Sequence, residues 1–127
     1  MEMVDCIPKT FWKKNDIKVL DPCCGNGNFH AYIKTKTDIN NLYFNEINQL
    51  RIDNIYKYFG NNINLTQRDF LSFSGKKEYD LVVANPPYAK FTIEGQRASK
   101  NHNLSREFIK KAISITKQGG YGHCNTI

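Results

Sequence analysis

No apolar run in this chain approaches the roughly 20 residues that cross a bilayer. The first ten residues contain Glu2 and Asp5 rather than a long apolar stretch, so no secretory signal is read there and no membrane partner is expected. Cysteine is sparse: Cys6, Cys23, Cys24 and Cys124. None forms a C-x-x-C pair and two are adjacent, which suits neither an ordinary disulfide nor a zinc site. They read as reduced thiols in an intracellular protein. His30, His102 and His123 stand at no ligand spacing. They read as surface or loop residues, and no metal is expected. G-x-x-x-x-G-K-[ST] is absent, which argues against a triphosphate cradle, and no G-x-G-x-x-G is present either. There is no internal repeat and no low-complexity tract.

What remains is globular in kind. The 127 residues are 40% apolar and 24% charged, which fits one domain, 1–127, with a single core. The net charge of +6 is unevenly placed. Residues 1–84 hold 11 Lys+Arg against 10 Asp+Glu, whereas residues 85–127 hold 7 against 2, a net of +5. That asymmetry suits a polyanion near the second segment, and equally a solvated basic face.

Ile17-Lys18-Val19-Leu20 reads as a strand ending in Asp21-Pro22, because Pro22 forbids a helix interior. Gly25 and Gly27 make the next segment a turn, and Asn28 is expected to cap a helix through Phe29, Ala31, Tyr32 and Ile33. Asn41 to Glu46 reads as a second strand ending in an acid. Gln49 to Phe59 is helical in period, with Leu50, Ile52, Ile55, Tyr58 and Phe59 expected on roughly one side and Gly60 as its stop. Ile63 to Thr66 is a third strand, followed by Arg68-Asp69-Phe70. Tyr79 to Ala84 is a continuous apolar run of the sort buried on both faces of a parallel sheet. It ends at Asn85-Pro86-Pro87-Tyr88. Residues 89–103 read as an exposed loop. Ser105 is expected to cap a helix that Gly119-Gly120 ends, and Tyr121 to Ile127 to begin a fifth strand. Alternation of this sort predicts an α/β fold: an open, mostly parallel Rossmann-like sheet with helices on both faces.

In such sheets ligands bind outside the carboxyl ends of the strands. Asp21, Glu46, Asp69 and Asn85 are each expected at or just past such an end, so four polar residues would share one rim. The glycines at 25 and 27 would let backbone approach a ligand where a Cβ would clash. An acid before them suits a cationic ligand, such as the amino-acid end of S-adenosylmethionine, better than a pyrophosphate. Glu46 can accept from both hydroxyls of a ribose. Asp69 can accept from the exocyclic amine of an adenine, with Phe70 against the ring; equally, Asp69 is a turn residue and Phe70 core. Two prolines fix the backbone after Asn85, so the asparagine side chain and the Pro86 carbonyl would be held rigidly. An aromatic amine is a poor nucleophile because its lone pair is delocalised. Two acceptors on its N–H groups localise that pair, and positioning plus electrostatics supply the rate. Tyr88 offers a ring on which an extruded base can stack.

These residues resemble the class I S-adenosylmethionine-dependent methyltransferases, most closely the adenine-N6 DNA methyltransferases of restriction-modification type. Residues 17–121 carry the resemblance. Asp21 to Phe29 is similar to the family's first motif, which implies that Asp21 and the backbone of Cys23-Cys24 hold the methionine part of the cofactor, with Gly25 and Gly27 shaping the loop. The resemblance gives Glu46 to the ribose, Ile47 and Phe70 to the adenine ring and Asp69 to its amine. Asn85-Pro86-Pro87-Tyr88 matches the catalytic tetrapeptide, and Phe108 the aromatic that lines the cofactor pocket. The implied substrate is DNA carrying a flipped adenine.

The pattern is not followed throughout. Met1 to Asn15 offers no counterpart of the upstream motif that closes over the cofactor. About five of the family's seven strands are found, and no target-recognition domain follows, so a truncated catalytic domain of low or no activity is expected. Two other readings stand beside it. The tetrapeptide also serves glutamine-N5 methylation in release factors, and related ones guanine-N2 methylation in ribosomal RNA, although the loop of the glutamine enzymes more often reads Asp-x-Gly-x-Gly-x-Gly. The other is a remnant that binds cofactor or nucleic acid without catalysis.

Overall fold

The computed structural model describes residues 5–84 and 106–124. Five strands form one sheet: β1 (Val19–Asp21), β2 (Leu42–Asn45), β3 (Asn64–Thr66), β4 (Tyr79–Ala84) and β5 (Thr116–Cys124). All pairings are parallel and the order is β3-β2-β1-β4-β5. The expected open parallel sheet is therefore present. The helices are α1 (Lys9–Trp12), α2 (Asn28–Ile33), α3 (Gln49–Phe59) and α4, residues 106–115.

The alternation of side chains along the strands builds two cores. Val19, Leu42, Phe44, Leu81 and Val83 face one side, where Ile7, Phe11, Trp12, Ile33 and Ile55 cover them. Leu20 and Val82 face the other, against Phe70, Phe73, Phe108, Ala112 and Ile115. Successive residues thus serve opposite faces, the two-residue period of a strand. Burial of both faces explains why β4 reads as an unbroken apolar run. The amino-terminal segment, which offered no motif, contributes Ile7, Phe11 and Trp12 to the first core.

Four local expectations are corrected. The helix after the glycine loop is capped by Gly27 in the left-handed region (φ 86°), with Asn28 as its first helical residue. Leu50 and Tyr58 are exposed, and Ile52 and Ile55 alone are buried on α3, with Phe59, four after Ile55, partly buried against the same core; Leu50 lies two before Ile52 and so leaves that face. His30 is fully buried rather than on the surface. Finally, Gly119-Gly120 lies inside β5, which begins at Thr116, directly after α4. Between Tyr79↔Thr116 and Leu81↔Tyr121 the register shifts. Both glycines fall in that irregularity, where an unpaired stretch of strand tolerates them.

Candidate active site

Three acids lie at the carboxyl ends of three adjacent strands. Asp21 is the last residue of β1, Glu46 follows the end of β2, and Asp69 lies three residues past β3. Asp21 is 0% exposed and neither carboxylate oxygen has a hydrogen-bond partner among the described residues. Burial pushes its carboxyl well above the usual value of 3.8. The Cys23 backbone N–H opposes this without reaching full hydrogen-bond geometry, and the nearby charge of Glu46 adds to it. An orphaned buried carboxyl demands a donor or a cation.

Glu46 is the opposite case. It is 5% exposed, but its Oε1 accepts from the Gly25 N–H at 2.8 Å, and its Oε2 accepts from the N–H groups of Ile47 and Asn48, both at 2.9 Å. Three of a carboxylate's roughly four lone-pair positions are thus used. The side chain bridges the loop after β1 to the turn before α3. Asn48 caps that helix, its Oδ1 accepting from the Arg51 N–H at 3.1 Å.

The glycines divide their work. Gly25 (φ +56°) has no described residue within 4 Å of the place a Cβ would take, whereas a Cβ on Gly27 (φ +86°) would meet Phe59 Cε2 at 2.7 Å. Gly25 is therefore uncovered among the described residues, and Gly27 is where the loop lies down on α3. The Cys24 N–H donates to the Asn45 carbonyl at 3.0 Å, and the Gly27 N–H to the Cys24 carbonyl at 2.7 Å, which closes the turn. Burial, and then the charges of Asp21 and Glu46, push the Cys23 thiol up to about 12 and the Cys24 thiol higher still. Both stay protonated at neutral pH, so neither is an activated nucleophile.

Asp21, Cys23, Cys24, Gly25, Gly27 and Glu46 are therefore brought together. Asp69 is exposed; its Oδ1 accepts from the Leu71 N–H at 3.0 Å and caps the short 3-10 turn Phe70–Ser72, while its charge also reaches Cys23. Ile47 is 63% exposed beside Glu46. Phe70 and Phe108 lie beneath the rim in the second core, their rings 4.7 Å apart, with Cys23 packed against that cluster. Asn85, Pro86, Pro87 and Tyr88 lie outside the described residues; in sequence they follow Ala84, the last residue of β4, and β4 pairs with β1. No group of three His, Cys, Asp or Glu among the described residues could hold a metal. No described helix is long and apolar enough to cross a membrane.

One residue at the rim carried no role in the sequence reading. Asn45 is 1% exposed, and its side chain joins the loops after β1 and β3. A polar amide at the end of a buried apolar strand was the available signal, since such a group is placed there only with partners.

The site residues fit a nucleoside with a cationic tail. Asp21 supplies a carboxyl that no described residue pairs, and no described residue fills the space a Cβ on Gly25 would take. Comparison with known proteins bears on the family and the fold. The chain is 31% identical over 136 aligned positions to the type II methyltransferase M.VspI of Vibrio sp. (strain 343), covering 94% of this chain and 33% of that protein. It is 32% identical over 75 residues to the type II methyltransferase M.AccI of Acinetobacter calcoaceticus, covering 58% of this chain and 14% of that protein. The chain thus spans a third or less of the length of these relatives. In fold it is similar to a putative S-adenosylmethionine-dependent methyltransferase from Listeria monocytogenes. The TM-score is 0.63 at 15% identity, over 94% of this chain and 48% of that one. The fold is accordingly the Rossmann-like sheet of the class I methyltransferases. A family model described as Eco57I restriction-modification methylase matches residues 7–126, and the chain belongs to that family.

Proposed function

We propose that this chain forms the cofactor-binding and catalytic part of a DNA methyltransferase that acts on the N6 amine of adenine. One arrangement carries the reading. β4, followed directly by Asn85-Pro86-Pro87-Tyr88, pairs with β1, which ends in the orphaned carboxyl of Asp21. Donor and acceptor machinery thus stem from neighbouring strands at the point where the strand order reverses, the usual ligand crevice of such sheets.

Bound S-adenosylmethionine supplies an electrophilic methyl group on a sulfonium. Asp21 takes its charged amino-acid end, with the backbone of Cys23-Cys24 and the open face of Gly25 alongside. Glu46, with a lone-pair position still unused, accepts from the ribose, and Asp69 accepts from the adenine amine. Ile47, Phe70 and Phe108 supply apolar surface to that ring. The Asn85 side chain and the Pro86 carbonyl accept from the target amine, which sharpens its lone pair, while Pro87 stiffens the segment and Tyr88 stacks on the flipped base. Stacking of that sort is worth about 1–3 kcal/mol. The net charge of +5 over residues 85–127 suits a DNA partner on the tetrapeptide's side.

Calorimetric titration with S-adenosylhomocysteine tests the cofactor part. Transfer of labelled methyl to duplex DNA, ribosomal RNA and a release factor, measured in parallel, tests the substrate. Asn85→Ala is expected to cut transfer by about 100-fold or more and to leave cofactor affinity within about twofold. A collapse of affinity overturns the role of Asn85, and transfer to RNA or the release factor in place of DNA overturns the substrate.

A further inference from the structure

Asn45 ends β2, the strand that lies between β1 and β3 in the sheet. Its Nδ2 donates to the Pro22 carbonyl at 2.8 Å and to the Arg68 carbonyl at 2.9 Å. Its Oδ1 accepts from the Thr66 hydroxyl at 2.7 Å, and its own backbone carbonyl accepts from the Cys24 N–H at 3.0 Å. Carbonyl oxygens only accept, so the end of the amide that faces two of them is the NH2 group and the orientation is fixed. Both amide hydrogens are used, and both end on backbone.

The two backbone targets are not arbitrary. Pro22 follows Asp21 and Arg68 precedes Asp69. One buried side chain therefore grips the chain next to each of the two outer rim carboxylates and touches neither, and the residue after it is Glu46, the central one. If apolar filling were all the site required, a residue like Leu42 or Phe44 of the same strand would serve. An amide here costs free energy unless every group is bonded, and it is kept with all of them bonded.

We infer that Asn45 is a positioning residue that fixes the separation of the loops after β1 and β3, so that both ends of one cofactor molecule are gripped together. This rests on the proposed cofactor site and adds to it a residue that contacts no ligand. The consequence is a coupling. A ligand with both a nucleoside and an amino-acid end gains from the fixed separation, because the second contact is intramolecular once the first is made. A nucleoside alone does not.

The full chain is titrated calorimetrically with S-adenosylhomocysteine and with adenosine, with melting followed in parallel. In the unmodified chain S-adenosylhomocysteine is expected to bind more tightly than adenosine. Asn45→Asp keeps the size but turns a carboxylate toward two carbonyls; it is expected to weaken S-adenosylhomocysteine by about tenfold or more and adenosine by about twofold at most. Thr66→Val, on the exposed edge strand, removes only the hydroxyl that Asn45 accepts from. It provides a second variant that folds if Asn45→Asp does not, with an expected loss of about threefold confined to S-adenosylhomocysteine. A purely structural role would lower melting and weaken both ligands alike. Proportional weakening of the two, or unchanged S-adenosylhomocysteine affinity in folded variants, overturns the inference. Failure of the unmodified chain to bind S-adenosylhomocysteine refutes the cofactor site itself and is seen before any variant is made.

Discussion

At the scale of single residues, two buried ionisable groups pull stability in opposite directions with pH. His30 donates from Nε2 to the Tyr43 carbonyl at 2.8 Å, packs edge-on against Phe44, and has an Nδ1 without a partner among the described residues. Burial lowers it from 6.5 to about 4, against a smaller upward pull from the Tyr43 carbonyl. The unfolded chain therefore binds this proton more readily. The stability His30 contributes is complete above pH 6.5 and is lost as pH falls toward 4, a loss on the order of 3 kcal/mol. Asp21 has the reverse sign. Its folded value is raised above 3.8, so its contribution is complete below 3.8 and is lost as pH rises through the raised value. His30→Gln, whose amide can still donate to Tyr43, is expected to remove the acid-side fall in melting temperature, and Asp21→Asn to flatten the fall that sets in as pH rises above 3.8. Melting curves of the ligand-free chain from pH 4 to 8 check both. An acid limb unchanged in His30→Gln would show that His30 is not its source. The burial of His30 was not legible because one histidine beside Phe29 and Ala31 looks the same on either face of a short helix. Asp21 was legible, since an acid that ends an apolar strand before a glycine turn has few structural uses.

Among the elements, the strand–loop–helix unit around Asp21 and the strand ending in Glu46 could be read from local chemistry alone: an apolar run, a breaker, then a periodic segment. The start of β5 could not, because Gly119-Gly120 carries the same stop signal at the end of a helix as it does inside an irregular strand, and only pairing with β4 decides. Glycines inside the readable loop still differ in purpose, and substitution separates them. Gly25→Ala places a methyl in open space. Its positive φ costs about 1 kcal/mol, and under the proposed function the larger effect is expected on cofactor affinity, about tenfold, because the methyl would enter the space proposed for the cofactor. Gly27→Ala meets Phe59, whose ring also lies 4.9 Å from Phe44. Its cost is expected in folding, about 2 kcal/mol or more, from strain and contact together. Thermal melting and titration with S-adenosylhomocysteine on both variants check the division. Equal effects on both readouts would mean that the two glycines share one role.

For the molecule as a whole, the sheet order splits the chain at β1 and β4. β1, β2 and β3 step one way, with the three acids at or just past their ends; β4 steps the other way and leads into the basic segment, which includes β5. Lys13 and Lys14 precede β1 and so belong to the opposite end of the strands, away from the acids. This contrast makes the proposed DNA contact testable without knowing the recognised sequence. Each phosphate neutralised contributes about −0.9 to the slope of log K against log salt. The seven Lys and Arg of residues 85–127 cap that slope near −6, and a slope between about −3 and −6 is expected for a short duplex. Replacing Lys90 and Lys100 by alanine is expected to flatten it by about 2, whereas replacing Lys13 and Lys14 should leave it unchanged. Fluorescence anisotropy at several salt concentrations reads both. If the amino-terminal pair flattens the slope as much as the other pair, the attraction is a diffuse property of the net charge of +6 and the basic segment has no special claim on DNA.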